Sequence, residues 1–562
     1  MPTIPSSPNQ ISLAWPRNPL QNVLDSSYYI PNPDGSWLIT SDYQYETTPF
    51  QMEMVTLKTN SGPDAYHKFA STNWTYRAYV GWRGGKPPFR VTLLEAPQGA
   101  SIGNSGLVQV MSRTEDGQLP NVMNHAFIQE TNTIKWTPSL ADVGLTRKFK
   151  VQIEDSVGQQ IVNTHYVTVD ESKFIYADVN AVDDTGAGTW TTPKKTFAAA
   201  HNNAGKICIY KTAGTYNVTF GGLSNYENRS RNHIAIVPGV IFDMTTEQFG
   251  AGSQCSDLAF IGIEFNGCIT TNPQVRVFNN GGKTDRALWW GCKWRNVTTG
   301  TIGNDNPACI ALMSLGSPSG TPRDLPSSHL HEDIAVVQCD VDSTVDIQQI
   351  TMFGTNRTLV EFNTASYKPT VTLSVAGHNN GSSWIHHKDG NSKATARFNV
   401  CNSGGFNLGP LIFSNQRGWF CNEQEMLFNF IRIYQGSLVS FNRQHLVAGN
   451  VAAGQRLGPE NTRCIRNTLI STGSNQVEFI RWGGPTALDE STVFENNIVV
   501  TTASNIHTSQ ALPHNAFINV GINQKLTLSD VNAQHKLTGT ARVTHLGKQG
   551  AEIASVPETE NA

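Results

Sequence analysis

The chain has 562 residues, of which 38% are hydrophobic and only 15% charged, and its formal net charge is −3. That balance excludes bulk electrostatic attraction to nucleic acid or an anionic membrane, because such binding needs a concentrated basic face. No apolar run approaches the roughly 18 residues of a membrane span, so a soluble protein is expected.

Residues 1–74 carry Trp15, Trp37 and Trp74, turn clusters such as Pro31–Ser36, and one alternating run, Gln51–Leu57, but no motif with evident chemistry. The first thirty residues have neither a basic stretch nor an apolar core, so export by a standard signal is not expected. From residue 75 to 172 the pattern changes to about seven short strands. Among them Lys150–Glu154 alternates strictly, which gives one buried face, and Asp155–Gly158 reads as a hairpin turn. This stretch resembles the Ig-like or cadherin-like modules of bacterial surface and phage proteins. The resemblance implies a β-sandwich serving mainly as a spacer, with direct ligand binding as the alternative.

From 173 to 552 short apolar runs closing on Asn, Asp or Gly recur without a helical period, as in Phe260–Gly267, Trp289–Val297, Val336–Val341, Ala396–Asn402, Cys464–Leu469 and Val493–Ile498. Each reads as two short strands meeting at a polar corner, and such units bury their apolar faces only by stacking on one another. The expected fold is therefore all-β and solenoidal. The opening segment Phe174–Asn180, Asp183–Gly188 and Thr192–Ala200, with the closing segment Asn515–Val520, Leu526–Leu528 and Leu546–Glu552, resembles the right-handed parallel β-helix of pectate-lyase-like proteins and phage tailspikes.

This resemblance implies a homotrimeric virion protein, assembled in the host cytoplasm and acting outside the cell on a bacterial surface polysaccharide. Residues 1–74 would then attach it to other virion proteins, and 553–562 would form an exposed tail. A non-enzymatic structural or adhesive virion protein and a stand-alone polysaccharide lyase are the alternatives. No cofactor is expected. The nine cysteines all lie within the repeating region, and without a C-x-x-C pair they read as small buried rung residues.

Chemistry on a laddered sheet needs a few charged or aromatic side chains on one outward face. The densest candidate runs from Gly377 to Gly390. Eliminative cleavage of an acidic glycan needs a base, a charge neutraliser and an acid. The stretch Trp384–Asn402 resembles a lyase rung in which Lys388 is the base, with His387 and Asp389 beside it, although the arginine expected on the next rung is missing and the first is Arg417. Hydrolysis needs two carboxylates instead. Asp340 and Asp342 point to one side of a strand, and Glu361 is expected on the following coil. Trp384, Arg397, Arg417, Trp419, Arg481 and Trp482 are candidates for binding sugar rings. For His386 to Asp389 a plain solvated turn is the competing reading, and for the tryptophans it is burial under loops. His329, His331 and Glu332 lack the spacing of a metal site. The insert Leu312–His331 is expected as a loop on the binding face.

Overall fold

A computed structural model describes residues 11–13, 37–39, 49–86, 89–103 and 132–220, and beyond 231 the strands below with short joints up to residue 526. The described chain is almost entirely β, and its α-helix is confined to Phe197–His201, capped by the Thr196 hydroxyl accepting from the Ala199 N–H at 3.2 Å.

Three large sheets dominate, of eleven, thirteen and nine strands. The chain visits them in rotation: Cys255–Ile261 lies in the first, Ile263–Asn266 in the second and Arg276–Asn280 in the third, and the next circuit repeats the order with Thr284–Trp290, Lys293–Thr299 and Ala308–Leu312. Strands pair in parallel with their counterparts one circuit on, as Phe260 with Trp289 and Trp289 with Val336. One strand type repeats because the sequence is written in runs of four to seven residues with β-branched and aromatic filling, too short for a helix and too apolar to stay solvated. Inward side chains of the three sheets meet in one core that includes Phe260, Phe265, Trp289, Trp294, Ile310 and Trp384. Among the described residues eight cysteines, from Cys208 to Cys464, are buried, as expected of rung residues.

The corner between the first and second sheets explains the recurring asparagines. Asn363, Asn399, Asn429 and Asn467 are buried and stacked, the amides of the first three each donating to the next side-chain oxygen at 2.9–3.0 Å. Each also donates to a backbone carbonyl of the preceding circuit, as Asn399 does to Val360 at 2.9 Å. The left-handed backbone falls one residue earlier, at Gly262, Gly291, Gln338, Phe362 and Phe398. These four asparagines therefore form a buried amide ladder, and at Asn363 and Asn399 the left-handed turn is made by the residue before.

A second row of left-handed residues runs along the first sheet, where Asp257, Arg286, Asp333, Arg357, Lys393, Glu423 and Asn461 take φ between 48° and 59° at equivalent positions. Left-handed backbone costs a non-glycine residue roughly 1–2 kcal/mol. The row compensates with ion pairs, Arg286 to Asp257 at 2.8 Å and Arg357 to Asp333 at 2.6 Å.

Residues 69–169 contribute two smaller sheets, antiparallel except where Phe69–Ala70 pairs in parallel with Gln160–Val169. One orders Phe69–Ala70, Gln160–Val169, Thr146–Glu154 and Arg90–Glu95; the other orders Tyr76–Tyr79, Thr133–Trp136 and Ser101–Ile102. Phe149 of the first touches Tyr76 and Trp136 of the second, with ring centroids 5.9 and 5.7 Å apart. Lys150–Glu154 alternates inward and outward as its sequence implies.

The segment from 49 to 86 lies on the outer face of the first large sheet. Val55, Tyr66 and Tyr79 pack there against Ile261, Leu288, Trp290, Val337 and Leu359. Lys58 pairs with Asp333 at 3.0 Å, Lys393 with Glu53 at 3.0 Å and Arg83 with Glu423 at 2.9 Å.

Candidate functional site on the second sheet

The sequence candidates separate onto different faces. Glu361 does lie one circuit after Asp340, but on the outer face of the first sheet beneath the N-terminal segment. There Arg397 Nε donates to Glu361 Oε2 at 2.7 Å, the Tyr79 hydroxyl donates to Glu361 Oε1 at 2.5 Å, and Arg397 Nη2 donates to the Trp82 carbonyl at 2.9 Å. Rings of Trp82 and Phe89 each sit 4.7 Å from the guanidinium. Both charged groups are wholly buried, so the expectations of a catalytic Glu361 and a sugar-binding Arg397 are corrected: they tie two parts of the chain together.

Trp384 and His387 are corrected likewise. Both are fully buried in the strand Ser383–Lys388, Trp384 within the core, and burial lowers the His387 pKa to about 4. Neither reaches a polysaccharide, and His386, also buried, excludes the solvated turn at that point. Lys388 ends this strand, registered between Phe353 and Ser414. Asp342, Arg481 and Trp482 also lie in strands, Asp340–Ser343 and Val477–Trp482. The side chains of Lys388, Asp342, Arg481 and Trp482 lie outside the described residues, as do Asp389, Arg417, Trp419, His329 and most of the Leu312–His331 insert. His331 is buried, its Nδ1 accepting from the Thr284 N–H at 2.9 Å.

Asp340 remains, and it sits in company the sequence reading did not identify. On the second sheet the parallel register aligns Glu264, Lys293, Asp340 and Thr364 on successive strands. Side chains alternate across a strand, so with Phe265, Trp294 and Ala365 directed to the core, this row lies on the other face of the sheet, where Glu264 and Lys293 are partly exposed while Asp340 and Thr364 are covered, at 1% and 7% exposure. Asn266 and Arg295 form a parallel outward row two residues on. Arg295 Nη2 donates to Asp340 Oδ2 at 2.5 Å, and the Thr364 hydroxyl donates to Asp340 Oδ1 at 2.8 Å.

The electrostatics follow from this packing. Lys293 is half-buried, and burial first, then the neighbouring Arg295 cation, lower its pKa below the ordinary lysine value, against the opposing pull of Glu264 and Asp340. Glu264 and Asp340 stand two strands apart, about 9.5 Å at the usual strand spacing. The arrangement offers an ordered line of hydrogen-bond donors and acceptors, with a lysine that gives up its proton more readily than a free one. The sequence signal was present in Lys293-Trp294-Arg295, a polar–apolar–polar alternation around a core tryptophan.

Fold and row together define an all-β protein built on large parallel sheets with a laddered polar face. No family model matches the chain, and no curated protein is similar to it. Among solved structures it is similar to the GH136 lacto-N-biosidase from Eubacterium ramulus, as selenomethionine derivative and as native protein, each with a TM-score of 0.34 and 10% identity. Those alignments cover 59% and 58% of this chain, and the chain spans 64% of the length of that protein.

Proposed function

We propose that the chain is a tailspike-like virion protein that holds an extended bacterial surface polysaccharide along the outward row of its second sheet. On this reading the three parallel sheets wind as a right-handed β-helix, residues 75–172 form an Ig-like module, and the protein assembles as a homotrimer joined to the particle through its N-terminal region. The observation that carries the reading is the partly exposed pair Glu264 and Lys293 with the flanking Arg295, which the buried Asp340 at the next place in the row holds in position. Backbone ladders fix these groups at about 4.8 Å intervals, and a mixed line of donors and acceptors suits hydroxyl-rich chains, since every hydroxyl both donates and accepts.

Cleavage at the same row is a second reading, favoured by Lys293. In an elimination Lys293 would be placed to take the proton from the carbon beside a uronate carboxylate as the bond to the glycosidic oxygen breaks and that oxygen leaves to take a proton from water, and Arg295 would offset developing negative charge.

The test incubates the purified chain with capsular polysaccharide and lipopolysaccharide from a panel of bacteria, following binding, unsaturated-uronate absorbance and reducing ends. Binding that weakens at least tenfold in Lys293→Ala and Asp340→Asn is expected. Absorbance identifies a lyase, reducing ends alone a hydrolase, and binding with neither an adhesin. No binding across the panel, or binding indifferent to both substitutions, overturns the proposal.

A further inference from the structure

A cleft of about 400 Å³ opens where the N-terminal segment meets the first circuits of the first sheet, on a different sheet from the row described above. Asp64 lies on one side, and Lys206, Asn232, Ser256, Asp257 and Arg286 line the rest. Its volume falls within the roughly 300–1,000 Å³ usual for small-molecule sites.

Two features distinguish it from a gap between packed surfaces. Asn232 is only 2% exposed, its amide donates to the Asp64 carbonyl at 2.9 Å, and its Oδ1 has no hydrogen-bond partner among the described residues. A buried amide oxygen left unmatched costs about 1–3 kcal/mol, which a hydroxyl donor reaching this lining residue would recover. The wall beside it is also rigid: Arg286 grips Asp257 with two hydrogen bonds, at 2.8 and 3.1 Å, and the Gly62 N–H donates to the same carboxylate at 2.9 Å.

We infer that this cleft binds a single sugar residue or similar polyol. The Asp257–Arg286 pair is mutually neutralised, which leaves little net charge to select an ion. Among the described residues no aromatic ring lines the cleft to offer a planar ligand a platform. What the lining does present is hydroxyl, ammonium, amide oxygen and carboxylate in close company, the mixture that a ring of hydroxyls satisfies by donating and accepting at once. The inference does not rest on the row of the second sheet.

The experiment is saturation-transfer NMR and calorimetry on the full chain with a panel of hexoses, N-acetylhexosamines, deoxyhexoses and hexuronates. Asn232→Ala removes the unmatched acceptor. Ser256→Leu fills the cleft while leaving the Asn232–Asp64 bond in place, and so keeps the test decisive if the first variant fails to fold. Lys293→Ala, on the other sheet, is the control. Saturable binding of a panel member, weakened at least tenfold in a folded cleft variant and unchanged in Lys293→Ala, is expected. No binding at millimolar sugar, binding unaffected by either cleft variant, or binding lost in Lys293→Ala overturns it.

Discussion

Glu361 and Arg397 show how a charge becomes structural. In a chain poor in charge, a carboxylate one circuit from Asp340 and an arginine on a rung attract a catalytic interpretation, and nothing nearby in sequence contradicts it. What decides their role is Tyr79, 282 positions earlier, whose hydroxyl reaches Glu361. Removing one partner of a buried pair leaves the other charge uncompensated, at a cost of about 3–5 kcal/mol. Glu361→Gln should therefore lower stability by that amount in denaturant titration, and Glu361→Leu with Arg397→Met should recover part of it. An unchanged midpoint in Glu361→Gln would remove the pair from the fold's supports. Buried histidines make a second prediction. Burial lowers His67 and His165 to about 3 and His387 to about 4, against about 6.5 in the unfolded chain. Below pH 6.5 the unfolded chain takes up protons that the folded chain refuses. Stability is thus complete above that pH and is lost as pH falls toward 4, by up to about 1.4 kcal/mol per pH unit for each histidine. The melting temperature should drop between pH 7.5 and 5, and a flat profile would contradict these burials.

Among elements, the asparagine corner shows what a single sequence conveys and what it withholds. Recurrence of Asn at strand ends was visible, and it correctly marked the corners between first and second sheets. Its chemistry was not visible, because left-handed turns and buried amide ladders both select Asn; only pairing across circuits separates them. Asn399 accepts from the Asn363 side chain and backbone N–H, both at 3.0 Å, and donates to Asn429. Asn399→Leu keeps the volume but leaves those partners unmatched, at about 1–3 kcal/mol each. Chemical denaturation should show a loss of at least 2 kcal/mol, and a smaller one would mean the ladder is decorative. The left-handed row from Asp257 to Asn461 escaped the sequence reading for the opposite reason. Four of its seven residues are Arg, Lys or Glu, types that seldom mark such backbone. The candidate row itself was half legible: Asp340 stood out as a carboxylate, whereas Lys293, Arg295 and Glu264 looked like ordinary surface polarity until register aligned them.

For the whole molecule, the N-terminal segment covers a sheet that would otherwise present Leu288, Trp290, Val337 and Leu359 to water. The sequence placed a change of pattern near residue 75, but composition does not reveal that residues on both sides of it reach one apolar face. Contiguous exposed apolar surface promotes association. A chain beginning at residue 171 should therefore bind an apolar dye and scatter light at concentrations where the full chain stays clear. Equal behaviour of the two would mean that the covering segment shields nothing.

Thiols placed wholly inside a laddered wall turn the chain into its own stopwatch. Because eight of them are sealed across circuits from Cys208 to Cys464, an alkylating reagent gains each one only when its neighbourhood opens. Mass-resolved labelling over time would then rank the circuits by how often they breathe, from one end of the stack to the other, without introducing a single probe.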